Sequence, residues 1–230
     1  VPRPVSLARG STVGVARQRA LRAGAGAELG EELHDYRRLQ LHGLPDDGNR
    51  YELVRGALFG TPAPRRSHEI ILARLSELLA PFVRENGLGL VFHRAVMRFD
   101  ASEVEPDLAV QQAHSIAEGN GDSAPTPNLV VEVLSGVTRR RDLDAKRALY
   151  LDAGISEYWV IDEDTKSIRV IRNGPHANQL PSTSRTETRH RREGRSQTQT
   201  IRVEMPVEWR LRGDNRGKIS LRVAGLLNRG

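Results

Sequence analysis

Three features of this 230-residue sequence predict an α/β fold, a mixed central sheet flanked by helices. An amphipathic stretch follows an apolar hairpin, with Ile70, Ile71, Leu75, Leu78, Leu79 and Phe82 at helical spacing. The run Leu129-Val130-Val131-Glu132-Val133-Leu134 is apolar and β-branched, the signature of a buried strand. A helical segment ending at Gly154 then leads into a strand and its hairpin partner. Helices and strands therefore alternate along one chain, which favours layers around a single sheet.

Taken in order, residues 1–34 are rich in Ala, Gly and Arg, and no acid precedes Glu28. They are expected to form a basic, flexible arm; the composition also has transit-peptide character, but no secretory apolar region follows. Glu31 to Leu41 can form a short helix, stopped by Gly43 and Pro45. Tyr51 to Phe59 reads as a hairpin turning at Gly56. Ser67 is the expected N-cap of a helix to Glu85, which Pro81 should bend or shorten. One strand is expected from Leu90 to Phe99, a second from Asp107 to Val110, and a loop over 111–128. The Leu129–Leu134 strand comes next, then a helix from Thr138 to Ala153 and a hairpin over Glu157–Asp162 and Ser167–Arg172. The expected core spans 35–173. Residues 174–200, rich in Ser, Thr, Gln and Arg, are read as a low-complexity basic segment lacking the apolar surface to fold. Residues 201–230 are expected to add weak closing strands or a tail.

Composition narrows the chemistry. There is no cysteine, which excludes disulfides, thiolate metal sites and a cysteine nucleophile and agrees with a cytoplasmic setting. No apolar run reaches the ~20 residues of a membrane helix. The formal net charge is +6 at pH 7, and residues 172–230 carry 13 basic groups against 5 acidic ones. Such a balance invites a polyanionic partner. The seven histidines show no paired metal-ligand spacing on one helix, which argues against a zinc hydrolase, and Ser135 lies in no nucleophile elbow.

Glu132 is the anomaly. An ionised carboxylate inside an apolar strand costs several kcal/mol unless a cation or strong donors meet it. Either it is a misplaced surface residue or it is a ligand. Asp107, in Glu105-Pro106-Asp107-Leu108, and Glu52, between Tyr51 and Leu53, are carboxylates at comparable strand positions. Carboxylates on adjacent strands can surround Mg²⁺, or Mn²⁺ in its place, and the Val133 carbonyl would be a further hard ligand. Lys146, three residues before Leu149, falls on or beside the sheet-facing side of its helix; its bland alternative is a solvated pair with Asp142.

In order and spacing these residues resemble the Uma-type restriction endonuclease family of the PD-(D/E)XK nuclease superfamily. The resemblance rests on Tyr51-Glu52-Leu53, His68, Pro106-Asp107-Leu108, Val131-Glu132-Val133, Ser135, Asp142 with Lys146 and Tyr150, and Gly154-Ile155-Ser156-Glu157-Tyr158-Trp159. It covers roughly residues 35–172. Leu134 stands where a lysine is expected two residues after the glutamate, and the resemblance passes that role to Lys146. It implies a restriction-endonuclease-like fold and metal-dependent hydrolysis of DNA phosphodiester bonds. Asp107, Glu132 and Lys146 would be catalytic; Glu52, Asp107, Glu132 and the Val133 carbonyl would bind metal. His68 and Arg140 would contact phosphate. A homodimer is expected by analogy with nucleases that cut duplexes. The rival expectation is a catalytically silent module that keeps the nuclease fold and binds DNA or assembles complexes.

Overall fold

The computed structural model describes residues 41, 44, 46–113, 116, 126–134, 141–173, 191–193, 196–202, 206–209 and 219–227. The expected N-terminal arm, the segment 174–190 and all but the last residue of the Glu31–Leu41 helix lie outside these residues. The chain forms β1 (Arg50–Val54), β2 (Ala57–Thr61), α1 (Arg66–Glu85), β3 (Gly89–His93), β4 (Met97–Phe99), β5 (Ser102–Val104), β6 (Leu108–Gln112) and β7 (Leu129–Val133). A π-helical stretch (Arg141–Lys146) runs into α2 (Arg147–Asp152), followed by β8 (Glu157–Asp162), β9 (Ser167–Asn173), β10 (Arg191–Glu193) and β11 (Ser196–Arg202). β12 (Pro206–Trp209), β13 (Ile219–Arg222) and α3 (Val223–Leu227) complete the described chain.

A seven-stranded sheet runs in the order β10-β11-β9-β8-β7-β6-β3, and a four-stranded sheet in the order β2-β1-β5-β4. In the larger sheet β7 and β8 are parallel and the other pairs antiparallel, so it is mixed. All five β7 residues are buried, as a strand covered on both faces requires. On one face Leu108, Val110, Leu129, Val131 and Val133 pack against Ile71, Leu75, Leu79 and Val83 of α1 and against Trp209 and Leu226 of the C-terminal elements. On the other face Ala109, Val130, Tyr158 and Val160 meet Val54, Met97 and Val104 of the smaller sheet and Leu149 and Tyr150 of α2.

Several expectations need correction. The helix begins after Arg65, an extended residue with no side-chain cap, so Ser67 is already inside it. Pro62 and Pro64 hold the approach extended and let the helix start once they are passed. The helix does run to Glu85 as expected, and Pro81 lies inside it without splitting off the last turn. The single strand expected over 90–99 is two strands in different sheets, and Arg94, at φ 48, lies between them. Residues 191–193 and 196–200 do enter the fold: β11 pairs along its whole length with β9, from Ser196↔Asn173 to Arg202↔Ser167. Backbone pairing onto an existing sheet edge does not need an apolar side chain at every position, which is why polar composition misled there. The closing hairpin β12–β13 does form, and Val207, Trp209 and Leu221 are fully or almost fully buried.

Candidate active site

The pairing of β6 with β7 sets the geometry. Leu108 stands opposite Val131 and Ala109 opposite Val130, so the next step along the ladder places Asp107 opposite Glu132. Side chains alternate along a strand. Asp107 therefore shares a face with Ala109, and Glu132 with Val130, both on the side covered by the smaller sheet and α2. Glu52 reaches the same layer from β1, where Val54, two residues on, belongs to that packing cluster. All three carboxylates are at most 5% exposed.

Two glutamates converge on one ammonium. Lys146, 1% exposed, donates from Nζ to Glu132 Oε1 at 2.7 Å and stands 2.8 Å from Glu52 Oε1. Glu132 Oε1 also accepts from the Tyr150 hydroxyl at 2.8 Å, and Glu52 Oε1 from the backbone N–H of Glu105 at 2.9 Å. Lys146 closes the π-helical stretch, and Tyr150 lies four residues later, one turn along the same side of α2. Local π geometry is frequent where a helix must aim a functional side chain.

Asp107 is held differently. Its Oδ2 accepts from the Val133 N–H at 2.8 Å and lies 3.0 Å from His68 Nε2. Its Oδ1 faces Arg50 Nη1 at 3.9 Å. Burial pushes the Asp107 carboxyl up, but His68, the Val133 N–H and the charge of Lys146 outweigh it and hold the pKa below the ordinary value. Burial, then the charges of Glu132 and Glu52, push the Tyr150 hydroxyl well above its usual range, so it remains a neutral donor. Burial and the nearby Glu52 charge raise Glu105.

Glu52, Asp107, Glu132 and Lys146 are thus brought to one end of one layer, and Val133, whose side chain faces the other layer, meets them through its backbone. His68 is buried against Asp107 rather than presented at a surface. Arg140 lies outside the described residues. Sequence reasoning assigned no role to Tyr150 or Arg50, although their spacing carried a signal. Tyr150 is four residues after Lys146 on a helix, and Arg50 is two before Glu52 on a strand.

The sequence model of the Uma2 family, described as "Putative restriction endonuclease", matches residues 33–208. The chain belongs to the Uma2 family. Its match runs beyond Asn173 and takes in β10 and β11, the strands that composition had placed outside the fold. Among solved structures, the chain is similar to a "putative nuclease belonging to DUF820" from Anabaena variabilis, with a TM-score of 0.60 and 16% identity over 82% of this chain and 95% of that one. At that identity the likeness speaks for the fold, which is restriction-endonuclease-like. No curated protein matches the chain in sequence. No described helix is long and apolar enough to cross a membrane.

In kind, the donors of this Uma2 site fit a hard divalent ion: three carboxylates and the Val133 carbonyl offer oxygen only. They are not gathered into a ready cage. Among the described residues no three His, Cys, Asp or Glu stand at metal-holding spacing, and Lys146 Nζ takes the place between Glu52 and Glu132.

Proposed function

We propose that this Uma2 protein is a Mg²⁺-dependent endodeoxyribonuclease, with Mn²⁺ able to replace Mg²⁺. One observation carries the reading: Lys146 meets Glu132 from the following helix while Asp107 shares Glu132's face of the sheet. A structural ion pair alone would not need a second carboxylate pinned beside it by a histidine and a backbone N–H. Asp107, Glu132 and the Val133 carbonyl would hold the ion, with Glu52 assisting. When bound, the ion supplies Lewis-acid activation of water and neutralises charge on the phosphate.

The chain's own residues do the rest. His68 and the Val133 N–H fix the Asp107 carboxylate, so its free oxygen keeps one direction. Tyr150 fixes Glu132 in the same manner. Lys146 holds a compact positive charge beside Glu132, where it can orient water or offset charge that builds on a phosphate in the transition state. The apolar layer around the cluster excludes bulk water and strengthens each of these interactions.

The test is cleavage of supercoiled, linear duplex and branched DNA in Mg²⁺ and in chelator. Wild type is compared with the near-isosteric Asp107→Asn and Glu132→Gln, with folding checked by circular dichroism. Metal-dependent cleavage that both substitutions abolish is expected. Cleavage that survives both would remove these residues from the chemistry. Salt-sensitive binding without cleavage of any DNA would instead establish the silent nuclease-fold module.

A further inference from the structure

Arg50 is placed as the buried carboxylate cluster would require of a residue that receives a nucleic-acid phosphate. It opens β1 two residues before Glu52, so strand alternation puts it on the same face. The guanidinium points at Asp107, yet Nη1 stops 3.9 Å from Oδ1, beyond hydrogen-bond reach. Asp107's other oxygen is already met by His68 and the Val133 N–H. Arg50 Nε is buried and has no acceptor among the described residues. The side chain as a whole is 26% exposed against 5% for Asp107, so Arg50 is the partner that water can reach.

Those facts fit poorly with a purely structural ion pair. A guanidinium that served only to neutralise Asp107 would gain by closing to bidentate contact, the strong geometry for this pair. Leaving a buried charged donor unpaired carries a desolvation cost that no hydrogen bond offsets. A planar fork of donors that is positioned, charged and incompletely satisfied, on a side chain that is partly exposed, matches an incoming phosphate. The site also needs such a group. Glu52, Asp107 and Glu132 face Lys146 as the ammonium between two of them, and a polyanion approaching three carboxylates is repelled unless a cation stands at the entrance.

We infer that Arg50 is a substrate-binding residue that contacts a DNA backbone phosphate at the mouth of the Asp107–Glu132 site. The inference rests on the nuclease reading above and adds a contact to it. The alternative role, holding Asp107 in place, makes a different prediction, because an internal contact releases no counterions from DNA. A phosphate contact does, and each one contributes about 0.9 to the slope of log affinity against log salt.

The experiment measures binding of a short duplex of arbitrary sequence by fluorescence anisotropy, in chelator so that nothing is cut, between about 50 and 200 mM salt. Wild type is compared with Arg50→Gln, Arg50→Lys and Arg55→Gln. Arg55 lies just beyond the other end of β1, is half exposed and pairs with Asp152, so its loss removes the same charge away from the site. Arg50→Gln should lower the salt slope by about 0.9. Arg50→Lys should restore the slope with weaker affinity, since lysine keeps the charge but not the fork. Arg55→Gln should leave the slope as in wild type. Thermal melts confirm that each variant is folded, and Arg50→Met, which also removes the charge, takes the place of Arg50→Gln in the slope measurement should Arg50→Gln not fold. An unchanged slope in Arg50→Gln, or an equal fall in Arg55→Gln, overturns the assignment of Arg50 while leaving the nuclease reading standing. Absence of salt-sensitive duplex binding by wild type itself overturns the DNA reading, and the Arg50 contact with it.

Discussion

An ammonium shared by two buried glutamates couples the energetics of three side chains, so none of them can be changed alone without exposing the others' cost. Lys146→Met keeps the apolar stem and removes the charge that faces Glu52 and Glu132. Breaking a buried pair by deleting one partner costs about 3–5 kcal/mol. That loss is expected in urea unfolding at neutral pH, with much of it recovered when Glu52→Gln and Glu132→Gln are added; a loss below about 1 kcal/mol would mean that the cluster is solvated. Asp107 gives a pH signature. Its folded pKa is depressed, so its stabilisation is fully present above the unfolded carboxylate value and is lost as pH falls through the folded one. The stability gap between wild type and Asp107→Asn should therefore narrow as the pH drops below about 4, and a gap constant with pH would contradict the bonding described. At this scale the sequence was most legible where polarity conflicted with context: Glu132 is the only ionisable residue in its apolar run. Arg50 and Tyr150 were harder to see, because an arginine at a strand start and a tyrosine on an apolar helix face are ordinary until their partners across the fold are known.

Among the elements, β7, the hairpin β1–β2, helix α1 and the pair β8–β9 follow from local pattern: α1 buries residues at helical spacing, and the strands are short apolar runs bounded by turn residues. The division between β3 and β4 does not. Leu90 to Phe99 has uniform strand character, and only the left-handed Arg94 and the pairing of each half with a different sheet separate them. Gly89 is the position where β3 depends on one residue type. It sits at φ 150, and a Cβ built there would lie 1.8 Å from the Gln111 carbonyl oxygen of β6. That neighbour is backbone in a paired strand and cannot yield without opening the ladder. Gly89→Ala should therefore destabilise the protein by well over the ~1 kcal/mol that a glycine-to-alanine change can gain where the backbone allows it. Calorimetry would register the fall in melting temperature, and amide exchange should show it concentrated at β3 and the facing end of β6. Melting like wild type would mean that the two backbones are not so close in solution. The π-helical turn before α2 also had no sequence signal: Lys146 could be placed on a helix, but its aim between two glutamates depends on that local widening.

For the whole molecule, where the domain ends decides how function can be dissected. Composition put the end of the core at 173, because the following stretch is polar and basic. The packing does not end there. Phe82 of α1 and Trp159 of β8 both meet Trp209 edge-on, with ring centroids 5.9 and 6.3 Å apart. Val207, Leu221, Leu226 and Leu227 join the same cluster, and Arg74 and Lys166 donate to carbonyls of Leu226 and Leu227. Burying five such side chains at about 1.5–3 kcal/mol each gives on the order of 10 kcal/mol, comparable with the entire 5–15 kcal/mol stability of an ordinary domain. Truncation after Asn173 would remove all five and uncover β9 along the edge that β11 pairs, leaving a bare strand open to aggregation. The truncated chain is therefore expected to lose its cooperative unfolding transition and to become sensitive to protease throughout. A fragment of residues 1–173 that unfolds cooperatively, with a midpoint close to the full chain's, would contradict the shared core. The same packing bears on the basic charge of this region. Of the thirteen basic groups in 172–230, Arg191, Arg192, Arg202 and Arg222 lie in strands that complete the fold, so deleting the region cannot report on DNA affinity alone. Charge has to be removed residue by residue, with the melting transition followed alongside binding.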